Sequence, residues 1–188
     1  MGKEILVLTG SPRRKGNSDR LADAFIEGAL SAGHRAHKFE AAYKNIHGCR
    51  ACNMCWSTGT EPCVVKDDFF ELAPLIESCS LAVFVSPLYF WGFSSQLKTA
   101  WDRFYAYGRE DGAKRIAIRE SALLLTLGDT EDATCRHAVG TYRDIAEYLG
   151  WKDRGIIVAK GVNGKTDVAK HPALSQAREL GRSIAAIA

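Results

Sequence analysis

The chain has 188 residues, 46% of them hydrophobic, and a formal net charge of +3 from 25 Lys and Arg against 22 Asp and Glu. That length suits one domain with a core of ordinary size, and basic residues spread without a long basic block do not indicate strong nucleic-acid binding. No apolar run approaches the roughly 20 residues that cross a bilayer, and the N-terminus lacks a signal peptide's charged, apolar and cleavage regions. A cytoplasmic protein away from membranes is expected, whose six cysteines are thiols or metal ligands rather than disulfides.

Ile5-Leu6-Val7-Leu8 is an uninterrupted apolar run, the pattern of a strand buried on both faces of a parallel sheet. The following stretch, Thr9-Gly10-Ser11-Pro12-Arg13-Arg14-Lys15-Gly16-Asn17-Ser18, is small and polar. Its backbone can close around an anion, its basic residues add positive charge, and Asn17 or Ser18 can cap a helix whose free N–H groups point back at the same place. The turn reads either as a phosphate cradle or as a solvated connection. A Walker A loop is excluded because Gly16 is followed by Asn17-Ser18, and a dinucleotide fingerprint because Gly10-Ser11-Pro12 is not G-x-G.

A helix over residues 18–32 follows from Leu21, Ala24, Phe25, Gly28, Ala29 and Ala32, with Gly33 as its left-handed stop. His34 to Phe39 is polar enough for an edge strand. Residues 45–65 form an excursion that holds four cysteines. Asp67-Asp68 starts a helix to Ser78, which Pro74 should bend or shorten. Leu81 to Val85 is a second buried strand. It enters the loop Ser86-Pro87-Leu88-Tyr89-Phe90-Trp91-Gly92-Phe93, and Ser94-Ser95 opens a helix with Leu97, Ala100, Trp101 and Phe104 on one face. Ala122 to Leu127 is a third buried strand ending in Gly128-Asp129, followed by a helix carrying Val139, Tyr142, Ile145, Ala146 and Leu149. Ile156 to Ala159 is the last strand, and Leu174, Ala177, Gly181, Ile184 and Ile187 mark a closing helix.

Strands alternating with helices predict an α/β fold of right-handed βαβ units. The expectation is a single domain over residues 1–188, a doubly wound five-stranded parallel sheet in the order 2-1-3-4-5 with helices on both faces. The loops after its first, third and fourth strands would then share one crevice. Tyr89, Phe90, Trp91 and Phe93 crowd the second of these loops. They either pack under the next helix or a second subunit, or they face a flat ligand. Beside a phosphate cradle, a ligand with a phosphate at one end and an aromatic plate at the other fits both loops.

Three ordered motifs carry a resemblance. Gly10-Ser11-Pro12-Arg13 running to Gly16-Asn17-Ser18, then Cys49 to Cys63 running into Asp67-Asp68, then Ser86-Pro87-Leu88-Tyr89-Phe90 running to Gln96-Leu97-Lys98 and Asp102-Arg103 resemble the flavodoxin-like NAD(P)H-dependent FMN reductases over roughly residues 3–130. The cysteine segment is similar to that of their iron–sulfur flavoprotein branch. The resemblance implies FMN as cofactor, with Ser11, Arg13, Gly16, Asn17 and Ser18 at its phosphate. It places Pro87, Leu88, Tyr89, Phe90, Trp91 and Gly92 along the ring, and Gly128 and Asp129 on the third side. It also implies a homodimer with exposed aromatics near the interface. Arg14-Lys15 and the acids Asp129, Glu131 and Asp132 depart from the family's usual loops, leaving open which basic side chain meets the phosphate and at what potential the flavin works.

No side chain need act as a chemical catalyst, because the flavin carries the hydride chemistry. The co-substrate would be a nicotinamide nucleotide and the acceptor quinone-like, aromatic or a protein, with no residue pair assigned to a 2′-phosphate. Cys49, Cys52, Cys55 and Cys63 suit a 4Fe–4S cluster better than zinc, which makes an iron–sulfur electron carrier one alternative and reduced structural thiols another. A non-enzymatic module binding a phosphorylated ligand is a third. Cys79 and Cys135 read as core thiols, the five histidines as solvated or capping, and Lys98 with Asp102 as a surface pair.

Overall fold

The computed structural model describes residues 1–108 and 113–186. Strand β1 (Glu4–Thr9) leads into helix α1 (Asn17–Ser31), then β2 (Arg35–Glu40), α2 (Phe69–Ser78), β3 (Leu81–Tyr89) and the two-residue β4 (Gly92–Phe93). There follow α3 (Ser95–Asp102), β5 (Glu120–Thr126), α4 (Asp132–Tyr148), β6 (Lys152–Ala159) and α5 (Ala173–Ser183). The five long strands are parallel in the order β2-β1-β3-β5-β6, and β4 folds back antiparallel on the end of β3. With the short β4 set aside, this is the expected 2-1-3-4-5 flavodoxin-like order, with β2 at an edge.

Alternation within the apolar runs splits the core between two faces. Ile5, Val7, Val83, Val85 and Leu124 point toward α1 and α5, while Leu6, Leu8, Phe84 and Leu123 point toward α2, α3 and α4. Phe84 stacks on Trp101 with ring centroids 3.9 Å apart. On the first face α1 and α5 cross closely at Gly28 and Gly181: a Cβ on Gly181 would strike the Phe25 carbonyl and lie 2.8 Å from the Ala29 nitrogen. No side chain larger than hydrogen allows that crossing.

Gly33 ends α1 in the left-handed conformation, with φ of 82° and the Gly33 and His34 N–H groups donating to Leu30 and Ala29. Four expectations need correction. The N-cap of α1 is Gly16, and neither Asn17 nor Ser18 caps it, because the Asn17 side chain is drawn to the loop after β6 and the Ser18 hydroxyl to Thr126 at the end of β5. The stretch after Val85 is a strand and hairpin rather than a loop. His34 is buried rather than solvated: its Nδ1 accepts from the Lys3 N–H at 3.0 Å, and its Nε2 donates to the Ile184 carbonyl at 2.8 Å. Helix α5 stops at Ser183, with Ile184 buried just beyond it, and Ile187 lies outside the described residues. The Asp67–Asp68 helix does run to Ser78, with Pro74 inside it, so the proline does not shorten it.

Candidate functional site

At the carboxyl ends of β1, β3, β5 and β6 the chain encloses a cavity of about 250 Å³. The loop after β1 lines it with Ser11, Arg13, Gly16, Asn17 and Ser18. The end of β3 contributes Pro87, Leu88 and Tyr89, and the end of β5 contributes Thr126, Leu127 and Gly128. A fourth wall, Val162, Asn163 and Lys165 after β6, was not anticipated. Its signal was present all the same, since Val162-Asn163-Gly164-Lys165 repeats after an apolar strand the glycine, amide and cation grammar of the first loop.

The first loop is held open from within. The Ser11 hydroxyl accepts from the Arg13 N–H at 3.2 Å, and Lys15, left-handed at φ 57°, donates its N–H to Asp19 at 2.6 Å. No side chain caps α1, so its first N–H groups and the positive end of its dipole are left for a ligand. The basic residues divide: Arg13 lines the cavity, whereas the Arg14 guanidinium lies 4.1 Å over the Tyr43 ring. Asn17 lines the cavity while its amide is engaged elsewhere, donating to the Val162 and Gly164 carbonyls and accepting from the Val168 N–H. Ser18 Oγ is buried against Thr126 Oγ1 at 2.8 Å.

Two buried serines tie this loop to the aromatic hairpin. Ser94 Oγ donates to the Gly10 carbonyl at 2.7 Å and caps α3 by accepting from Leu97, while Ser86 Oγ accepts from the Ser94 N–H at 3.0 Å. Gly10 is required here, since a Cβ would collide with Ser94 Oγ and stand 2.5 Å from Leu97 Cβ.

The hairpin turns through Phe90 and Trp91 with φ of 48° and 64°. Positive φ at both central residues marks a type I′ turn, which favours Asn-Gly and penalises bulky side chains. Phe90 is 96% exposed and Trp91 56%. These rings, with Leu88, Leu127, Gly128, Asp129 and Thr134, line a second, shallower cavity of about 250 Å³ that shares Leu88, Leu127 and Gly128 with the first. Gly92 pairs with Tyr89 in the hairpin and lines neither. The Thr134 hydroxyl, with the N–H groups of Glu131 and Thr130, holds the Asp129 carboxyl below its usual range, so this mouth carries a fixed negative charge.

The cysteine segment is anchored by two buried cations. Arg103 donates to the His47 and Val65 carbonyls and to both oxygens of Asp67, the closest at 2.9 Å, and Lys114 donates to the carbonyls of Cys55 and Gly59. Cys49 and Cys52 are exposed, Cys63 is half-buried and Cys55 is buried. Burial, and next the neighbouring Cys63, push the Cys55 thiol up. Among the described residues no three Cys, His, Asp or Glu side chains converge as a metal ion would require.

A crevice at the reversal point of a sheet in this order, polar at a helix start and aromatic at its mouth, is where flavodoxin-like α/β proteins hold a flavin mononucleotide. The chain belongs to the NADPH-dependent FMN reductase family, which it matches over residues 4–134. An iron–sulfur flavoprotein from Methanocaldococcus jannaschii is 27% identical over 98% of this chain and 96% of its own length. A second, from Archaeoglobus fulgidus, is 33% identical over 57% of this chain, and the match spans about half, 48%, of that relative. In fold, the chain is similar to an NAD(P)H:quinone oxidoreductase from Methanothermobacter marburgensis, with a TM-score of 0.73, 22% identity, and 97% and 96% of the two chains covered. The wall formed by Val162, Asn163 and Lys165 lies beyond the residues that the family match covers.

Proposed function

We propose that the chain takes a hydride from NAD(P)H through bound FMN and passes the electrons to a quinone-like, aromatic or protein acceptor. The observation that carries this reading is the continuity of two compartments: a polar cavity at the uncapped start of α1, and an aromatic mouth that shares Leu88, Leu127 and Gly128 with it. A phosphorylated flat cofactor suits that pair. The residues fit FMN, since the donors at one end match a phosphate and no carboxylate lines the inner cavity.

In this reading FMN supplies hydride acceptance and onward electron transfer when bound. The Ser11 hydroxyl, the Arg13 side chain and the N–H groups at Asn17 and Ser18 would hold the phosphate, with Gly16, whose own N–H donates to the Arg13 carbonyl, lining it. Pro87, Leu88 and Tyr89 run along the ring and Gly128 along its other side. Phe90 and Trp91 form a plate at the mouth, where an incoming ring can stack. Asp129 sets a negative potential beside it, which disfavours an anionic reduced flavin. The exposed hairpin tip is also the surface that a second subunit would cover, so the working form in this reading is a homodimer, in the cytoplasm. No helix among the described residues is long and apolar enough to cross a membrane.

Anaerobic stopped-flow mixing with NADH and with NADPH tests the reading. Bleaching of the flavin by either is expected, and a flavin that neither bleaches would sink it.

The four thiols on one segment, together with the relatives' names, favour a second reading as an iron–sulfur electron carrier. In the present arrangement these thiols form no ligand set, so that reading requires residues 49–63 to rearrange. Iron and acid-labile sulfide in protein purified without air would support it, and their absence would leave the cysteines structural.

A further inference from the structure

We propose that Lys165 is a second anion anchor of the crevice, gripping the FMN phosphate together with Arg13, and that Asn17 is the positioning residue that holds the loop of Lys165 in place. This rests on the FMN reading and adds to it a residue from outside the stretch that matches the family.

Charge is the first ground. Arg13 and Lys165 line the inner cavity, no acidic side chain does, and Lys165 makes no ion pair among the described residues. Asp167, two residues further on, turns its carboxylate back to the Gly164 N–H at 2.6 Å. A phosphate monoester carries about −1.5 to −2 at neutral pH. Arg13 and the open start of α1 supply roughly +1.5, and Lys165 brings the positive charge past the phosphate's full −2.

Backbone fixity is the second. The loop is sewn down on both sides of Lys165. Val162 donates its N–H to Leu127 at 3.0 Å, and Asn163 donates its amide to Gly128 at 3.1 Å. Asn17 donates to the Val162 carbonyl at 3.3 Å and to Gly164 at 2.8 Å, and it accepts from the Val168 N–H at 3.1 Å. Val168 is fully buried and pins the far end. Binding then orders one lysine side chain rather than a loop, which limits the entropic cost. It also explains why an asparagine follows Gly16: its side chain spends every hydrogen-bonding group on the fourth wall, 145 to 151 residues away in sequence, and leaves the phosphate to the backbone.

The test is a fluorescence titration of the full chain, stripped of flavin, with FMN and with riboflavin, which lacks the phosphate. Lys165→Met should weaken FMN about tenfold, leave riboflavin within about twofold, and flatten the salt dependence of FMN affinity. Lys165→Arg should restore FMN binding. Asn17→Ala should weaken FMN as well, and the double variant Asn17→Ala with Lys165→Met should lose less than the sum of the two. Equal FMN affinity in wild type and Lys165→Met would overturn the proposal, as would equal losses for FMN and riboflavin. A raised KM for NADPH alone, with FMN affinity unchanged, would overturn it by assigning the lysine to the nicotinamide nucleotide. A wild-type chain that takes up no flavin would refute the FMN reading itself.

Discussion

Replacing Phe90 by asparagine separates a residue kept for packing from one kept for a ligand. Phe90 sits at φ 48° and is 96% exposed, touching Trp91 edge-on at 5.5 Å. Truncating a buried phenylalanine costs about 3–5 kcal/mol, but here almost no area leaves the interior. Left-handed backbone costs a bulky residue about 1 kcal/mol, which asparagine largely avoids, and the lost ring edge offsets about 0.5 kcal/mol of that relief. Phe90→Asn should therefore be as stable as the wild type or more so, by about 0.5 kcal/mol. In urea denaturation of the apoprotein, diluted until it is monomeric so that no second subunit covers the hairpin, the midpoint should hold or rise. Steady-state kinetics with a naphthoquinone acceptor should show kcat/KM lower by about threefold to tenfold, the worth of one stacking face. A loss of more than about 1 kcal/mol of stability, or unchanged acceptor kinetics, would refute the argument that this turn bears backbone strain for the sake of its site.

Arg103→Met leaves the Asp67 carboxylate buried without its partner and should cost about 3 kcal/mol, with Cys55 and Cys63 reacting faster with a thiol reagent. Burial raises the Asp67 carboxyl, but hydrogen bonds from Arg103 and from the His47 and Phe69 N–H groups outweigh it and hold it below its usual range. The pair's contribution is therefore complete above about pH 4 and lost as pH falls through the lower folded value. In the Arg103 variant acid unfolding should begin at a higher pH, and an unchanged acid limb would count against the ion pair. Gly10→Ala forces a methyl against Ser94 and Leu97, so a loss of about 1–3 kcal/mol is expected, with weaker FMN uptake; wild-type stability would show that the β1 loop can shift freely. Asp129→Asn removes a fixed charge at the flavin mouth, and potentiometry should find the flavin midpoint moved to more positive values, whereas a negative shift would place the ring elsewhere.

What could be read in advance was what local pattern dictates. Ile5 to Leu8 and Leu81 to Val85 are apolar throughout because both faces of their strands are covered, and the βα alternation then left few orders for the sheet. The loops after β1, β3 and β5 were legible as a shared crevice for the same reason. What escaped depends on partners far along the chain. Asn17 and Ser18 have the propensity of capping residues, yet Val162, Gly164 and Thr126 compete for their side chains and prevail. Tyr89 to Phe93 hides a hairpin because Phe90-Trp91 contradicts the Asn-Gly preference of such a turn, so local signals favoured a loop. His34 resembles any polar residue after a helix stop until Ile184 supplies an acceptor 150 residues away. The fourth wall was missed because its place in the crevice is set by tertiary ties rather than by spacing.

The most direct test of the central claim is a crystal structure of the chain grown with FMN. The phosphate is expected within hydrogen-bond reach of the Asn17 and Ser18 N–H groups, with Arg13 beside it and the ring running past Leu88 and Tyr89 toward Phe90, Trp91 and Asp129. A flavin bound instead in the apolar cavity of about 460 Å³ between Trp56, Trp101, Phe104 and Tyr148, or none at all, would contradict the account.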